Sequence, residues 1–525
     1  MTSRPFIPTP PTPGHNDRNF GRPLGFAFCT NVCHNPTMRR HASLPALLLV
    51  LPLLAIHAQD PPSAAGPLQP RQYISTGGGT GATNRPAIPR AGANTLTNEL
   101  SLTWRKDPDS VDARIIRQPL SKVLPHIAKA SGWQVFTEPG TDSLISSAFR
   151  NQPAREAIGR ILSNFSYAIV PGTNNRPRLL VFRTSSGSAT EEVDPSDALR
   201  VDEEVVVQLK DGSRLTAEEL AKLTGGEVAG KLEGLNAARI RYPDAAAADA
   251  AREKLAGIDG VSVEDNHRLP NQDSTGLLEG LAASAGLGIR PAAVSTGKLV
   301  IGLIDSAVQP INPAYDAFLV GRESVVATKS TSSELSHGTS MFANIVKAAE
   351  TTTGQGGTAA FGVLAVDVYG ANESTTAFDV AMGIQRAIER GANVINLSLS
   401  STVHSPFLHG TIRMYNERGV QFLAAAGNDP IVSPTFPASY PEVLAVTAGN
   451  SSGQFAPYAN RGPFVDLMLP GSGIVPYGGD RWLVTGTSTA TAYASGIAGA
   501  LWNPSIGSPS NLTPLLLQKF GVSKP

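Results

Sequence analysis

Leu299-Val300-Ile301-Gly302-Leu303-Ile304 is an unbroken apolar run, and it ends on Asp305-Ser306. An apolar run without polar alternation predicts a strand buried on both faces. With flanking residues it covers 298–304, and similar runs follow at 362–368, 394–399, 420–425 and 443–448. Apolar residues recur at helical spacing over 337–350, 376–390, 407–418 and 487–502. Buried strands that alternate with helices predict an α/β fold over 297–525: a parallel sheet with helices on both faces.

Four segments of this region carry chemistry. Asp305 directly follows a buried strand, so it stands at the carboxyl edge of the sheet, where α/β sites lie. Alone it is a weak signal, because many such Asp residues are helix caps. Ser336-His337-Gly338-Thr339-Ser340 puts a histidine at a helix start, with Gly338 giving room beside the ring; alone this is as readily a surface or capping histidine. Ala424-Ala425-Ala426-Gly427-Asn428-Asp429 follows a strand with small residues that let a substrate approach. Asn428 can offer a side-chain N–H to a developing oxyanion, or simply shape a turn. In Thr485-Gly486-Thr487-Ser488-Thr489-Ala490-Thr491-Ala492, Ser488 opens a helix of small residues that can lie deep in the fold. The free N–H groups at such an end favour an anion.

Together, in the order Asp, His, Ser, these segments resemble the subtilisin-like serine peptidases. The resemblance covers about 230 residues, from 297 to 525. It implies Asp305 as triad acid, His337 as general base, Ser488 as nucleophile and Asn428 as oxyanion donor. It also implies a substrate-binding strand at Ile395-Asn396-Leu397-Ser398-Leu399. Leu397, Ser398, Leu399, Ser400, Ala426 and Gly427 would line the peptide site. Pro437-Ala438 matches the family pattern between the Asn and the Ser. The sequence departs from the family at Ser306-Ala307-Val308, at Thr489 and Ala492, and at Ser400-Ser401 where glycines are common. The last pair would narrow or polarise the S1 pocket. No cofactor is required. The family admits a structural calcium, but no run of ligands for one is visible, and no metal site is assigned.

Upstream, 204–269 reads strand, helix, strand, helix, strand, a small ferredoxin-like α+β unit. Its ending Gly260-Val261-Ser262-Val263-Glu264-Asp265 resembles the last strand of the inhibitory propeptides of the same family. The implied partner is the chain's own propeptide in cis. The unpatterned stretch after it, within 267–295, is the expected maturation site, in a linker running over 270–296.

Residues 98–184 hold a weak repeat. Arg117-Gln118-Pro119-Leu120 and Asn151-Gln152-Pro153-Ala154 lie 34 residues apart, each before a helical pattern. The segment resembles the short N-terminal domain of secretins and TonB-dependent receptors, a βαβ module, which implies an envelope partner. A polar, acidic linker is expected at 185–203, and a Gly/Pro/Thr-rich one at 59–97. Met38-Arg39-Arg40-His41, an apolar run to Ile56 and a small Ala58 read as a signal peptide over 38–58. Its placement predicts Met38 as the start, with 1–37 a disordered, over-called extension. Export to the periplasm, envelope or exterior follows.

Composition fits this. The 525 residues suggest roughly three to four domains. Lys plus Arg equals Asp plus Glu at 43 each, which argues against nucleic acid as the partner. The two cysteines, Cys29 and Cys33, fall in the extension, so no disulfide framework or thiolate zinc site is expected. The reading is an exported serine endopeptidase made as a zymogen, acting on protein or peptide. The alternative is a catalytically silent module of the same fold that binds at the envelope. A lipase-type Gly-x-Ser-x-Gly elbow is absent, because Ala490 stands two residues after Ser488.

Overall fold

The computed structural model describes residues 99–106, 109–172, 176–270, 274–277, 286–293, 297–450 and 452–523. The segment 38–58, expected to be a signal peptide, the segments 1–37 and 59–97, and parts of 270–296 lie outside them.

Seven parallel strands form the central sheet. Their spatial order is Leu319–Ser324, Phe361–Asp367, Leu299–Asp305, Val394–Leu397, Gln421–Ala425, Val443–Gly449 and Leu467–Pro470. Chain order reverses beside Leu299–Asp305, which therefore borders the crevice where such sheets bind ligands. Helices His337–Thr353 and Thr487–Leu501 pack on one face through Met341, Phe342 and Ile345 with Ala490, Ala494 and Ala498. Helices Ala377–Glu389 and Pro406–Asn416 cover the other through Phe378, Ile384, Leu408 and Ile412. The first two helices touch closely: a Cβ on Gly496 would stand 2.0 Å from the carbonyl oxygen of Ile345.

Two strands of this sheet were not expected from sequence. Leu319–Ser324 alternates half-buried with exposed residues, and Leu467–Pro470 has only four, so neither shows a long apolar run. Both lie at sheet edges. The strand expected over 394–399 stops at Leu397, because Ser398 leaves the ladder to bond Asn396 and Ser488. Thr376 caps its helix instead of joining it, accepting from the N–H of Asp379.

The unit expected over 204–269 spans Arg200–Pro270. Its strands order as Val261–Pro270, Arg200–Leu209, Ala237–Arg241 and Glu227–Leu232. Helices Ala217–Thr224 and Ala245–Ala256 lie in the sequence between them. The unexpected strand Glu227–Leu232 is a partly exposed edge with one fully buried residue. Period-two alternation splits the strand Arg200–Leu209. Val205 and Val207 join the unit's own core with Leu220 and Leu255, while Val206 joins the catalytic core beside Phe378.

Residues 99–184 run strand, helix, strand twice: Asp109–Pro119, Leu120–Ser131, Gln134–Thr137, then Leu144–Pro153, Ala154–Ile161, Ser166–Val170. The backbone repeats too. Arg117 and Asn151, each two residues before its proline, have φ of 48° and 50°. The stretch 185–203 is not the loose linker its polarity suggested. Glu191–Glu192 pairs with Thr137 and Phe136, and Val193 donates its N–H to Val135. The polar side chains there face water while the backbone completes a sheet. Similarly, 270–296 contributes Ser274–Leu277, antiparallel to Thr485–Trp482, and Arg290–Pro291.

Candidate active site

Asp305 closes its strand with 2% of its surface exposed. Its Oδ1 accepts from the N–H of Ser306 at 2.6 Å. His337 is the first residue of its helix, where Ser336 caps by accepting from the N–H of Thr339. The His337 Nδ1 lies 2.8 and 2.9 Å from the two oxygens of Asp305. Two carboxylate oxygens can only accept, so Nδ1 carries the proton and Nε2 is the basic nitrogen. Gly338 is required here. A Cβ would meet the Ser306 carbonyl oxygen at 2.0 Å and Asp305 Oδ1 at 3.3 Å. Ser306, a departure from the family pattern, takes part: its Oγ accepts from the N–H of Gly338 at 2.9 Å.

Ser488 is 5% exposed, in the first turn of the small-residue helix. Its hydroxyl donates to the carbonyl of Ser398 at 3.2 Å, and Ser398 Oγ lies 3.1 Å from the Ser488 carbonyl and 2.9 Å from Asn396 Oδ1. Asn396 Nδ2 in turn donates to Ser495 at 2.9 Å. This buried polar chain ties the opening of the serine helix to the Val394–Leu397 strand.

Asn428 is oriented by Thr487. Its Oδ1 accepts from the Thr487 N–H at 2.9 Å and the Thr487 hydroxyl at 3.0 Å. The carbonyl end of the amide is thereby fixed, and Nδ2 is the donating end. Thr487 Oγ1 also accepts from the N–H of Gly427 at 3.0 Å. Gly427 has φ 102°, and a Cβ there would fall 2.5 Å from Asn460 Nδ2 and 3.1 Å from Ser400 Oγ.

The remaining expected peptide-site residues divide. Ser398 bonds Ser488, and Ser400, Ala426 and Gly427 lie just past the ends of Val394–Leu397 and Gln421–Ala425, whereas Leu397 and Leu399 are buried in the core. Only the backbone of those two leucines can serve a peptide. Thr487, Asn460 and Ser495 were missed as site residues. Thr487 and Ser495 lay inside the serine block and its small-residue helix; Asn460 had no motif to mark it. Among the described residues, no group of three or more His, Cys, Asp or Glu could hold a metal.

The Arg200–Pro270 unit docks on the strand Ser374–Thr376 and on the starts of helices Ala377–Glu389 and Pro406–Asn416. Arg268, Leu269 and Pro270 pair antiparallel with Thr376, Thr375 and Ser374. Asn266 Oδ1 accepts from the N–H of Phe378 at 3.2 Å, and Glu264 Oε2 from that of Phe407 at 2.8 Å. Both contacts satisfy open N–H groups in the first turns of helices. Burial pushes the Glu264 carboxyl above its ordinary range, against the bonds from Ser405 and Phe407.

Residues 296–521 match the family described as the subtilase family, and 188–263 match the fervidolysin N-terminal prodomain. Thermitase of Thermoactinomyces vulgaris is 33% identical over 205 residues, covering 38% of this chain and 74% of its own. The thermophilic serine proteinase of Bacillus sp. (strain AK1) is 34% identical over 207 residues, 38% of this chain and 51% of its own. The minor extracellular protease Epr of Bacillus subtilis (strain 168) is 31% identical over 238 residues, 45% of this chain and 35% of its own. With strands, acid–histidine pair, buried serine, prodomain-like unit and these relatives in agreement, the chain belongs to the subtilase family and is a subtilisin-like serine endopeptidase.

Proposed function

We propose that the chain is an exported zymogen whose triad of Asp305, His337 and Ser488 hydrolyses peptide bonds through an acyl-enzyme. The observation that carries this reading is the contact of His337 Nδ1 with both oxygens of buried Asp305 at 2.8 and 2.9 Å. Asp305 fixes the tautomer and stabilises the imidazolium. The Ser488 hydroxyl turns from Ser398 toward Nε2, gives up its proton and attacks the scissile carbonyl carbon. The oxyanion that forms is met by Asn428 Nδ2. The imidazolium then protonates the leaving amine, and water repeats the sequence on the ester. A structural calcium has no assigned role in this reaction.

Residues 200–270 act as the in-cis inhibitor. Strand pairing up to Pro270 supports a tail held as a substrate would be held. Residues 98–184, with their own hydrophobic core, are the part that meets an envelope partner. Export rests on the signal-like 38–58 segment and on a relative named as extracellular. Among the described residues no helix is long and apolar enough to cross a membrane.

The test is maturation of the full chain. The wild type shortens by a cut within 267–295, while Ser488→Ala stays intact until a trace of active enzyme is added. A Ser488→Ala chain that shortens unaided contradicts the reading.

A further inference from the structure

Asn460 is fully buried in the loop between Val443–Gly449 and Leu467–Pro470. Its side chain makes three hydrogen bonds, all into one neighbouring segment. Nδ2 donates to the carbonyl of Ala426 at 2.7 Å; Oδ1 accepts from the N–H groups of Asp429 at 2.9 Å and Ile431 at 3.2 Å. Two backbone donors on one side and a carbonyl on the other leave a single amide orientation. The Asn460 N–H donates to the Gly427 carbonyl at 2.9 Å, and the Arg461 N–H to that of Ile431 at 3.0 Å. Asn460 is itself held by Thr447, whose hydroxyl donates to its carbonyl at 2.5 Å. Thr435 Oγ1 gives the Ala426 carbonyl a second donor at 2.6 Å.

The residues gripped are 426, 427, 429 and 431. Asn428 is flanked by two of them, so its Cα is fixed from both sides while Thr487 fixes its amide. Preorganised donors act because they need no reorganisation during reaction, and small misplacements cost large factors in rate.

We propose that Asn460 is a positioning residue of the oxyanion hole, acting through Asn428. This rests on Asn428 being the oxyanion donor. Asn460→Asp is the informative change. A carboxylate still accepts from Asp429 and Ile431, but it has no proton for the Ala426 carbonyl and repels it.

The experiment measures peptide hydrolysis by mature enzyme carrying Asn428→Ala, Asn460→Asp or both. Asn460→Asp is expected to lower kcat by about 10- to 10³-fold, bounded by the loss of the donor itself, with KM little changed. In the Asn428→Ala background the same change should have almost no further effect, as expected for two residues acting as a unit. A merely structural role predicts an additive loss or raised KM with intact kcat, and either overturns the proposal. If Asn428→Ala lowers kcat and Asn460→Asp does not, the positioning role alone falls. If Asn428→Ala has no effect on kcat, the oxyanion reading falls with it. Should Asn460→Asp fail to fold, Thr435→Val removes the second donor to Ala426 in an isosteric side chain. It should lower kcat about threefold to tenfold, the worth of one hydrogen bond, only when Asn428 is present; an unchanged kcat overturns the proposal.

Discussion

Arg239 of the prodomain and Asp379 of the catalytic domain form an ion pair, with Nη1 at 3.0 and 3.1 Å from the two carboxylate oxygens. Their side chains are 12% and 9% exposed. The guanidinium also lies over the ring of Phe378, 5.0 Å from its centroid. Burial raises the Asp379 carboxyl against the pull of Arg239. A pair this buried gives register more than affinity, but removing one partner strands the other charge.

Arg239→Met should therefore weaken prodomain binding by about 3–5 kcal/mol, which is roughly a hundredfold or more in Ki. Glu204 is not stranded, since it keeps Arg241 at 2.7 Å and Asn266 at 2.7 Å. Adding Asp379→Asn to the mature enzyme should restore part of the loss. Inhibition by separately made residues 188–270 measures both. An unchanged Ki for Arg239→Met would remove this pair from the interface energetics.

Glu264 should make prodomain docking depend on pH. Docked, burial raises its carboxyl above the ordinary carboxylate range. The docked form therefore holds the proton more tightly. Its contribution to docking is full below the ordinary glutamate range and is lost as pH rises through the raised, docked value. Ki should weaken over that window and then level off. Glu264→Gln, which keeps an acceptor for the Phe407 N–H, should flatten this step. A Ki profile identical in the two proteins would show that Glu264 does not titrate on docking.

Asp305→Asn should disturb the tautomer of His337. An amide in place of the carboxylate can donate to Nδ1, which favours the imidazole with its proton on the wrong nitrogen. A fall in kcat of about 10⁴ is expected with the fold intact. Steady-state kinetics and circular dichroism check it together; a loss under tenfold would mean that Asp305 does not set the tautomer.

What was legible in the sequence follows from which physics leaves a local trace. The central strands are buried on both faces, so Leu299–Asp305 and Phe361–Asp367 announce themselves as apolar runs. Edge strands such as Leu319–Ser324 and Glu227–Leu232 are half-solvated and carry no such run. Asp305, His337, Ser488 and Asn428 each sit where a strand or helix ends among small residues, and the close contacts at Gly338 and Gly427 explain why those residues are small. The order in 185–203 was invisible because it rests on backbone pairing of Glu191–Glu192. Asn460 was invisible because its partners are backbone groups about thirty positions away in sequence.

The most direct measurement is labelling with a fluorophosphonate, read by intact mass, on wild-type and Ser488→Ala protein matched for folding. Wild type should gain one adduct, mapping to Ser488, and lose peptidase activity in proportion. Ser488→Ala should gain none and cleave nothing. A folded Ser488→Ala protein that cleaves peptide at the wild-type rate would contradict the assignment of the nucleophile and the mechanism built on it.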